Sequence, residues 1–521
     1  MTMTTFPWLT LLTLMPVLGA ILLPLLGDRN KPLVRYTALA FSLIALCFTL
    51  VLWHNFNPAA DAYQFQELHP WVPSLNAEYR LGIDGLGLLI LLLSAIVVPI
   101  GILASWQIER RVPLYFSLVL LLQACLFGTF TALNFFHWFI FWELGLVPAF
   151  FLIKLWGGSN SGKAAMQFLV YTMVGSIAML MTFLAIYLST NTFDFSDLAH
   201  LAQTGRLMPV VVANLNWHLF TPQHTAMILF LGAFLGFAVK VPLIPFHTWL
   251  PSAYTEAPTG TTILLTGAMS KMGLYGFLRI LLPLFGVQMQ QILTPLLWLA
   301  VATIVLSAYA ALAQKDLKRI FAYSSINHLG YCMLAIFAVV RFTGGDPSLT
   351  AQKFAAMNGV YLQMFNHGLT AAALFWFLAM LEKRTGGLLG LNDFGGLRKV
   401  MPVFTGLMGV ALFSSLGLPG LNGFIGEFLI FKGSLPLVTW ATAASVLGLL
   451  LTAIFILGIL QRVFNGPLAA RWMNLPDLTL RERLVLVPII GLMFALGLYP
   501  QLILGVVNHT AMQMALNLRT F

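Results

Sequence analysis

The chain has 521 residues, 59% of them hydrophobic and only 8% charged, with a mean hydropathy of +0.89. Soluble domains carry roughly 25% charged residues, so this composition excludes a soluble enzyme and indicates a polytopic membrane protein. The net charge of +10 comes from cations in short loops between apolar runs, with no basic domain. It reads as a topology signal and not as a nucleic-acid surface.

A spanning helix needs about 20 apolar residues. By that ruler the sequence predicts an all-α membrane protein of about fourteen spans, near 7–26, 33–53, 84–105, 113–133, 135–156, 164–189, 225–247, 261–284, 292–312, 320–340, 355–381, 402–431, 437–460 and 484–503. The N-terminal MTMTTFPWLTLLTL lacks a basic n-region and a small-residue cleavage site, and is read as a retained first span. Alternate loops, beginning with the one after the first span, hold seventeen Lys and Arg; the other set holds five, namely Arg80, Arg206, Arg341, Lys353 and Lys432. That bias places the basic loops inside and both termini outside. In loop 54–83, alternating apolar residues around Asn76 predict a hairpin. SDLAHLAQ in loop 190–224 predicts a short surface helix, and 382–399 an interfacial connector.

Two spans carry the signature of a broken helix. In the seventh, Lys240 is followed by Pro242 and Pro245; in the twelfth, Pro419 and three glycines precede Glu427. Proline removes a backbone donor, and such breaks persist in a membrane only where protein or water satisfies the freed groups. Two breaks, each beside one ionisable group, suggest two related half-units.

The intramembrane ionisable groups are, in order, Glu143 in FIFWELGLVPAFF, Lys240, Lys271, His328 in YSSINHLGYC, His367 in MFNHGLTAA, and Glu427. A charge at bilayer depth costs at least ~2.5–3.5 kcal/mol and marks function by default. Glu143 beside Lys240 would hold a proton on the lysine, and opening the pair would let a desolvated ammonium give it up. Lys271, His328 and His367 lie near small or hydroxylic residues that can hold water, and Glu427 offers an end point. Lys154 and Lys432 are read as snorkelling from span ends, Arg279 as peripheral, and the aromatic run 135–142 with His137 as lipid-facing or interfacial. Cys47, Cys125 and Cys332 have no metal-ligand spacing, and no nucleotide loop, zinc helix or nucleophile elbow is present.

At these residues the sequence resembles a known family, the antiporter-like membrane subunits of respiratory complex I, within it the chain M (subunit 4) group. The motifs are FWELGLVPAFFLIKLWGG, VKVPLIPFHTWLPSAYTEAPT, AQKDLKRIFAYSSINHLGY, NHGLTAAALF and GLPGLNGFIGEFLIF, within about residues 70–505. The resemblance implies fourteen helices with two inverted five-helix repeats, each containing a broken helix. Residues 1–112 would hold helices one to three, 113–284 the first repeat, 285–465 the second, and 466–521 a connector, the last helix and the tail. It further implies that Glu143 and Lys240 form an essential pair, Lys271 is the central lysine, His328 and His367 connect, and Glu427 is the terminal glutamate of chain M. The family pattern is close to LPDAHVEAPT, whereas Ser252 and Tyr254 stand here at its aspartate and histidine, so no role transfers to that turn.

The expectation is a proton-translocating membrane-arm subunit, passing protons from Lys240 through Lys271, His328 and His367 towards Glu427. It would carry no cofactor or metal of its own, with quinone and NADH or another electron donor handled by other subunits. Its partners would be further membrane-arm chains, including antiporter-like ones, and the lipid bilayer of a bacterial cell membrane, or alternatively a thylakoid. The rival readings are a cation–proton antiporter, a related complex specialised for carbon dioxide uptake, and a spacer whose charges only pair helices.

Overall fold

A computed structural model describes residues 6–60, 63–215 and 220–518. Among them, twelve helices are long and apolar enough to cross a membrane, and they fall on twelve of the expected spans. The other two expected spans are not single rods. Segment 402–431 is divided into Pro402–Leu416 and Asn422–Leu437, because Gly417 and Gly420 adopt φ of +80° and +94° around Pro419, which cannot donate. Segment 484–503 falls on Leu480–Leu498 and Gln501–Asn517, bent by 59° at Tyr499–Pro500.

Carboxylates set the starts of the central helices. Asp84 accepts from Gly87 N at 3.0 Å to open Gly85–Ala104, Asp316 from Arg319 N at 3.0 Å to open Leu317–Ala338, and Asp346 from Ser348 N at 2.8 Å to open Pro347–Thr385. Each cap satisfies one of the orphan amides of a first turn. These three helices are almost wholly buried, whereas Trp8–Leu26 and Lys31–Asn55 expose apolar side chains such as Leu18, Leu25 and Leu43. Pro347–Thr385, at 39 residues, is about 58 Å long at ~1.5 Å per residue, well beyond a ~30 Å hydrocarbon core. It packs against Gly85–Ala104, Leu317–Ala338 and Asn422–Leu437.

The expected hairpin is present. Gln64–Val72 pairs antiparallel with Ala77–Ile83, turning through Pro73–Leu75 and a left-handed Asn76. Its Glu67 accepts from Leu9 N at 2.6 Å and Thr10 N at 3.2 Å, placing a carboxylate at the positive end of Trp8–Leu26. Its Arg80 pairs with Asp194 at 2.5 Å, and Asp194 caps the expected short helix, Phe195–Gln203. The loop also holds a second helix, Leu207–Leu215; its proline and three successive valines give a weak helical signal. Segment 382–399 continues the long helix to Thr385 and then makes two single 3₁₀ turns. Lys353, counted above among the loop cations, is instead buried inside the long helix and donates to Leu518 O at 3.2 Å.

Candidate functional site

Glu143 lies on Phe135–Leu144, whose first turn is capped by Asn134 accepting from His137 N at 2.8 Å. The aromatic run on this helix does not face lipid throughout. Trp138 and Trp142 are buried, with ring centroids 4.7 Å apart, and His137 is packed between Tyr79 and Phe141. Two buried indole rings carry a large apolar area out of solvent, and the face of such a ring also attracts a cation. Here the cation is Lys240, whose Nζ sits 4.9 Å from the centre of the Trp142 ring.

Lys240 ends the helix Pro222–Lys240, and the chain then runs without regular helix to Trp249–Glu256. The break is held by protein. Trp249 Nε1 donates to Val239 O at 2.9 Å, Leu243 N to Ala238 O at 2.8 Å, and Ile244 N to Thr303 Oγ1 at 3.1 Å. Lys240 Nζ and Glu143 Oε2 are both buried and have no hydrogen-bond partner among the described residues. The two charges act on each other through space, but the direct pair expected from the sequence stands open. Trp142 covers the ammonium, and its Nε1 donates to Ser176 Oγ at 3.0 Å.

Tyr254, to which the sequence assigned no role, stands between the two lysines. A cavity of about 10 Å³ is lined by Lys240, Trp249, Tyr254, Leu265, Met269 and Ser270, and the buried Tyr254 hydroxyl interacts with the hydroxyls of Thr266 and Ser270. The signal was available in the spacing of Trp249–Glu256. Leu250, Ala253 and Tyr254 form its inward face, while Ser252, Thr255 and Glu256 line an outer pocket of about 290 Å³ with Asn160, Lys163 and Gln167.

Lys271 belongs to the span Thr259–Gln291, which contains π-helical turns at Leu265–Met269 and Phe277–Leu281. Such wide turns shift backbone groups out of the α ladder and recur at functional positions. The Lys271 ammonium folds back onto the first of them, donating to Thr266 O at 2.7 Å and lying 3.3 Å from Ser270 Oγ; its third contact is His367 Nδ1 at 2.8 Å. All three ammonium positions are therefore engaged.

His367 continues to His328, their ring centres 5.4 Å apart, and His328 Nδ1 is 2.9 Å from Glu427 Oε1 while its Nε2 is 3.1 Å from Ser415 Oγ. Gln363 Nε2 donates to the same Glu427 oxygen at 3.2 Å. The order in space is thus Lys271, His367, His328, Glu427, which differs from the chain-order expectation. His367 sits on Pro347–Thr385, which packs against the lysine helix, so the histidine later in sequence comes first in space. A buried cavity of about 20 Å³ lies beside both rings, bordered by Ser324, Gln363, Asn366, Thr370, Ser414 and Glu427. The second broken helix makes room for this end. A Cβ on Gly417 would come within 2.9 Å of Glu427 Oε2.

Arg279 is not peripheral. It is buried and pairs with Asp84 at 2.5 Å, with Tyr63 Oη at 3.0 Å and Tyr275 Oη at 3.2 Å. Two helical turns beyond Lys271, it ties the lysine helix to the start of Gly85–Ala104 and marks a structural anchor.

Residues 132–454 match the family model described as NADH:quinone oxidoreductase/Mrp antiporter, TM. Subunit M of the NADH-quinone oxidoreductase of Rhodobacter capsulatus is 32% identical over 514 residues, 98% of this chain and 96% of that protein. NAD(P)H-quinone oxidoreductase chain 4 2 of Thermosynechococcus vestitus is 32% identical over 506 residues, 95% of this chain and 89% of that one. A chain in the structure of respiratory complex I from Thermus thermophilus with bound NADH superposes with a TM-score of 0.83 at 28% identity, covering 98% and 99% of the two chains. A chain of the Mrp complex from Dietzia sp. shares the fold, with a TM-score of 0.77 at 24% identity, and covers 97% of this chain and 52% of that one.

Proposed function

The chain belongs to the NADH:quinone oxidoreductase/Mrp antiporter family, with relatives of the complex I subunit M type along its whole length, and from that premise we propose that it is a proton-translocating subunit in the membrane arm of a bacterial complex I. The observation that carries this reading is the hydrogen-bonded series of titratable side chains, Lys271 to His367 and His328 to Glu427, buried inside a membrane bundle where each charge is costly. Oxidation of NADH or another donor and reduction of quinone belong to other subunits; this chain supplies the proton path.

The path follows from the donors and acceptors. Lys271 gives an Nζ proton to His367 Nδ1, and His367 releases one from Nε2. The adjoining cavity has room for one water with several polar partners, enough to carry that proton to His328, which passes one from Nδ1 to Glu427 Oε1. Histidine suits the middle of such a path because its two nitrogens let a proton enter on one side and leave on the other. Upstream, the Tyr254 hydroxyl spans the cavity between Lys240 and Ser270, and so joins the first lysine to the second. Glu143 loads Lys240 when the pair closes, and Trp142 holds the ammonium while it is open. The two broken helices then belong to two inverted half-units, 113–284 and 285–465.

Replacing Lys240 by alanine in the assembled complex tests the reading. Quinone-coupled proton uptake into vesicles should fall to a small fraction of the wild-type value. Unchanged pumping with normal assembly would overturn it.

A further inference from the structure

At the end of the bundle rich in lysine and arginine, the ends of four helices enclose a groove of about 560 Å³ that shares no residue with the relay. The helices are Lys31–Asn55, Gly85–Ala104, Pro347–Thr385 and Leu480–Leu498. The groove is aromatic and apolar along its walls. Tyr36 and Trp106 meet edge to face at 5.1 Å, and Trp376 lies about two turns from Lys383 along the same helix. Its mouth carries Lys383, Arg481 and Glu482.

The charges at this end do not balance at the mouth. Lys31 and Arg35 share Glu109 at 2.8 and 2.5 Å, Lys318 is held by Glu382 at 3.0 Å, and Glu482 is taken by Arg384 at 2.6 Å. Lys383 and Arg481, both exposed, have no carboxylate within ion-pair distance among the described residues, so the mouth of an apolar trench is left with two uncompensated cations. The trench lies within the ~300–1,000 Å³ range of ligand sites, and tryptophan and tyrosine at such a level mark the headgroup boundary.

We propose that this groove is a binding site for one acidic phospholipid, its acyl chain in the aromatic trench and its phosphate between Lys383 and Arg481. Charge complementarity selects the acidic class. A zwitterionic headgroup brings its own cation to a mouth that already holds two, whereas an acidic one brings only the missing negative charge. The site rests on the membrane placement of the bundle and is independent of the proton path.

The test uses the assembled complex, reconstituted with phosphatidylglycerol or phosphatidylcholine bearing a photoreactive acyl chain, followed by peptide mapping. Phosphatidylglycerol should label the segments around Trp106 and Trp376 in preference to phosphatidylcholine. In the K383Q/R481Q variant that preference should fall roughly 30-fold, about 2 kcal/mol at ~1.4 kcal/mol per tenfold, the pull of two basic residues at a membrane surface. Equal labelling by the two lipids, an unchanged preference in the variant, or no label because a neighbouring subunit fills the groove would each overturn the proposal. Should the double variant fail to assemble, the wild-type comparison of the two lipids still decides it.

Discussion

Lys271 allows proton transfer to be separated from stability. Its ammonium engages Thr266 O, Ser270 Oγ and His367 Nδ1. In Lys271→Met the carbonyl of Thr266 keeps a donor, because Ser270 Oγ already reaches it at 2.9 Å. His367 Nδ1 is the group left without a partner, and an unmet buried acceptor costs ~1–3 kcal/mol. Against this, removing a buried ammonium relieves a desolvation penalty of several kcal/mol, so the two effects largely offset each other and the complex should assemble. Lys271→Arg keeps the positive charge and the donors but not the chemistry, since a guanidinium does not release its proton in a protein. Both variants should lose proton movement through this chain. The assay is quinone-coupled acidification of vesicles containing the purified complex, read with a pH-sensitive dye alongside the rate of quinone reduction and thermal stability. Wild-type pumping by Lys271→Arg would refute the reasoning, because it would mean that a fixed charge suffices and no proton leaves that nitrogen.

Tyr254→Phe keeps the ring that fills the turn and removes only the hydroxyl beside Ser270; proton transfer between the lysines should slow by ~10²-fold, the lower end for a lost acid–base group, and pumping equal to wild type would show that the hydroxyl is a bystander. Arg279→Met strands Asp84 against a buried face, which should destabilise the bundle by ~3–5 kcal/mol, seen as a lower melting temperature of the detergent-solubilised complex that adding Asp84→Asn partly restores. The hydrogen bonds from Lys31 and Arg35 hold the Glu109 carboxyl below its ordinary value of 4.5. The folded value being the lower one, the tether of the first basic loop is intact above pH 4.5 and is lost as the pH falls through the lowered value. Amide protection in residues 28–35, relative to the intrinsic exchange rate at each pH, should therefore fall only in acid, and equal protection at neutral pH and in acid would remove the tether.

The chain's membrane class, most of its spans and both helix breaks could be read from the sequence because they rest on local physics. Twenty apolar residues in a row have few alternatives, and Lys240-x-Pro or Leu-Pro-Gly cannot continue a helix. The hairpin at Asn76 and the helix at Phe195 were legible for the same reason, alternation in one and helical spacing in the other. What could not be read was adjacency across helices. His328 and His367 exchange places in space because the order in which helices pack is not the order in which they are made. Trp142 looked like a lipid-facing residue until Pro222–Lys240 brought an ammonium beneath it, and Arg279 looked marginal until the hairpin region placed Tyr63 and Asp84 around it.

The proposed path is uneven, and the unevenness has a consequence for control. From Lys271 to Glu427 nearly every donor has a near neighbour, two contacts are under 3 Å, and the single wide step, between the histidine rings, borders a cavity able to hold water. Between Glu143 and Lys240 no hydrogen bond links the two charged groups, and beyond them the Tyr254 hydroxyl interacts with Ser270. Lys240 Nζ has only an aromatic face, Glu143 Oε2 has no partner, and the space leading on to Ser270 is about 10 Å³, at the lower limit for one water. A wired segment conducts in whichever direction the proton is driven, so it cannot itself impose order on a cycle. Order has to come from the segment that can be open or closed, and the residues able to change it are those around the first break: Trp142, Trp249 and Tyr254. Under the function proposed above, the segment from Lys271 to Glu427 is the conduit and the segment around Lys240 is the valve.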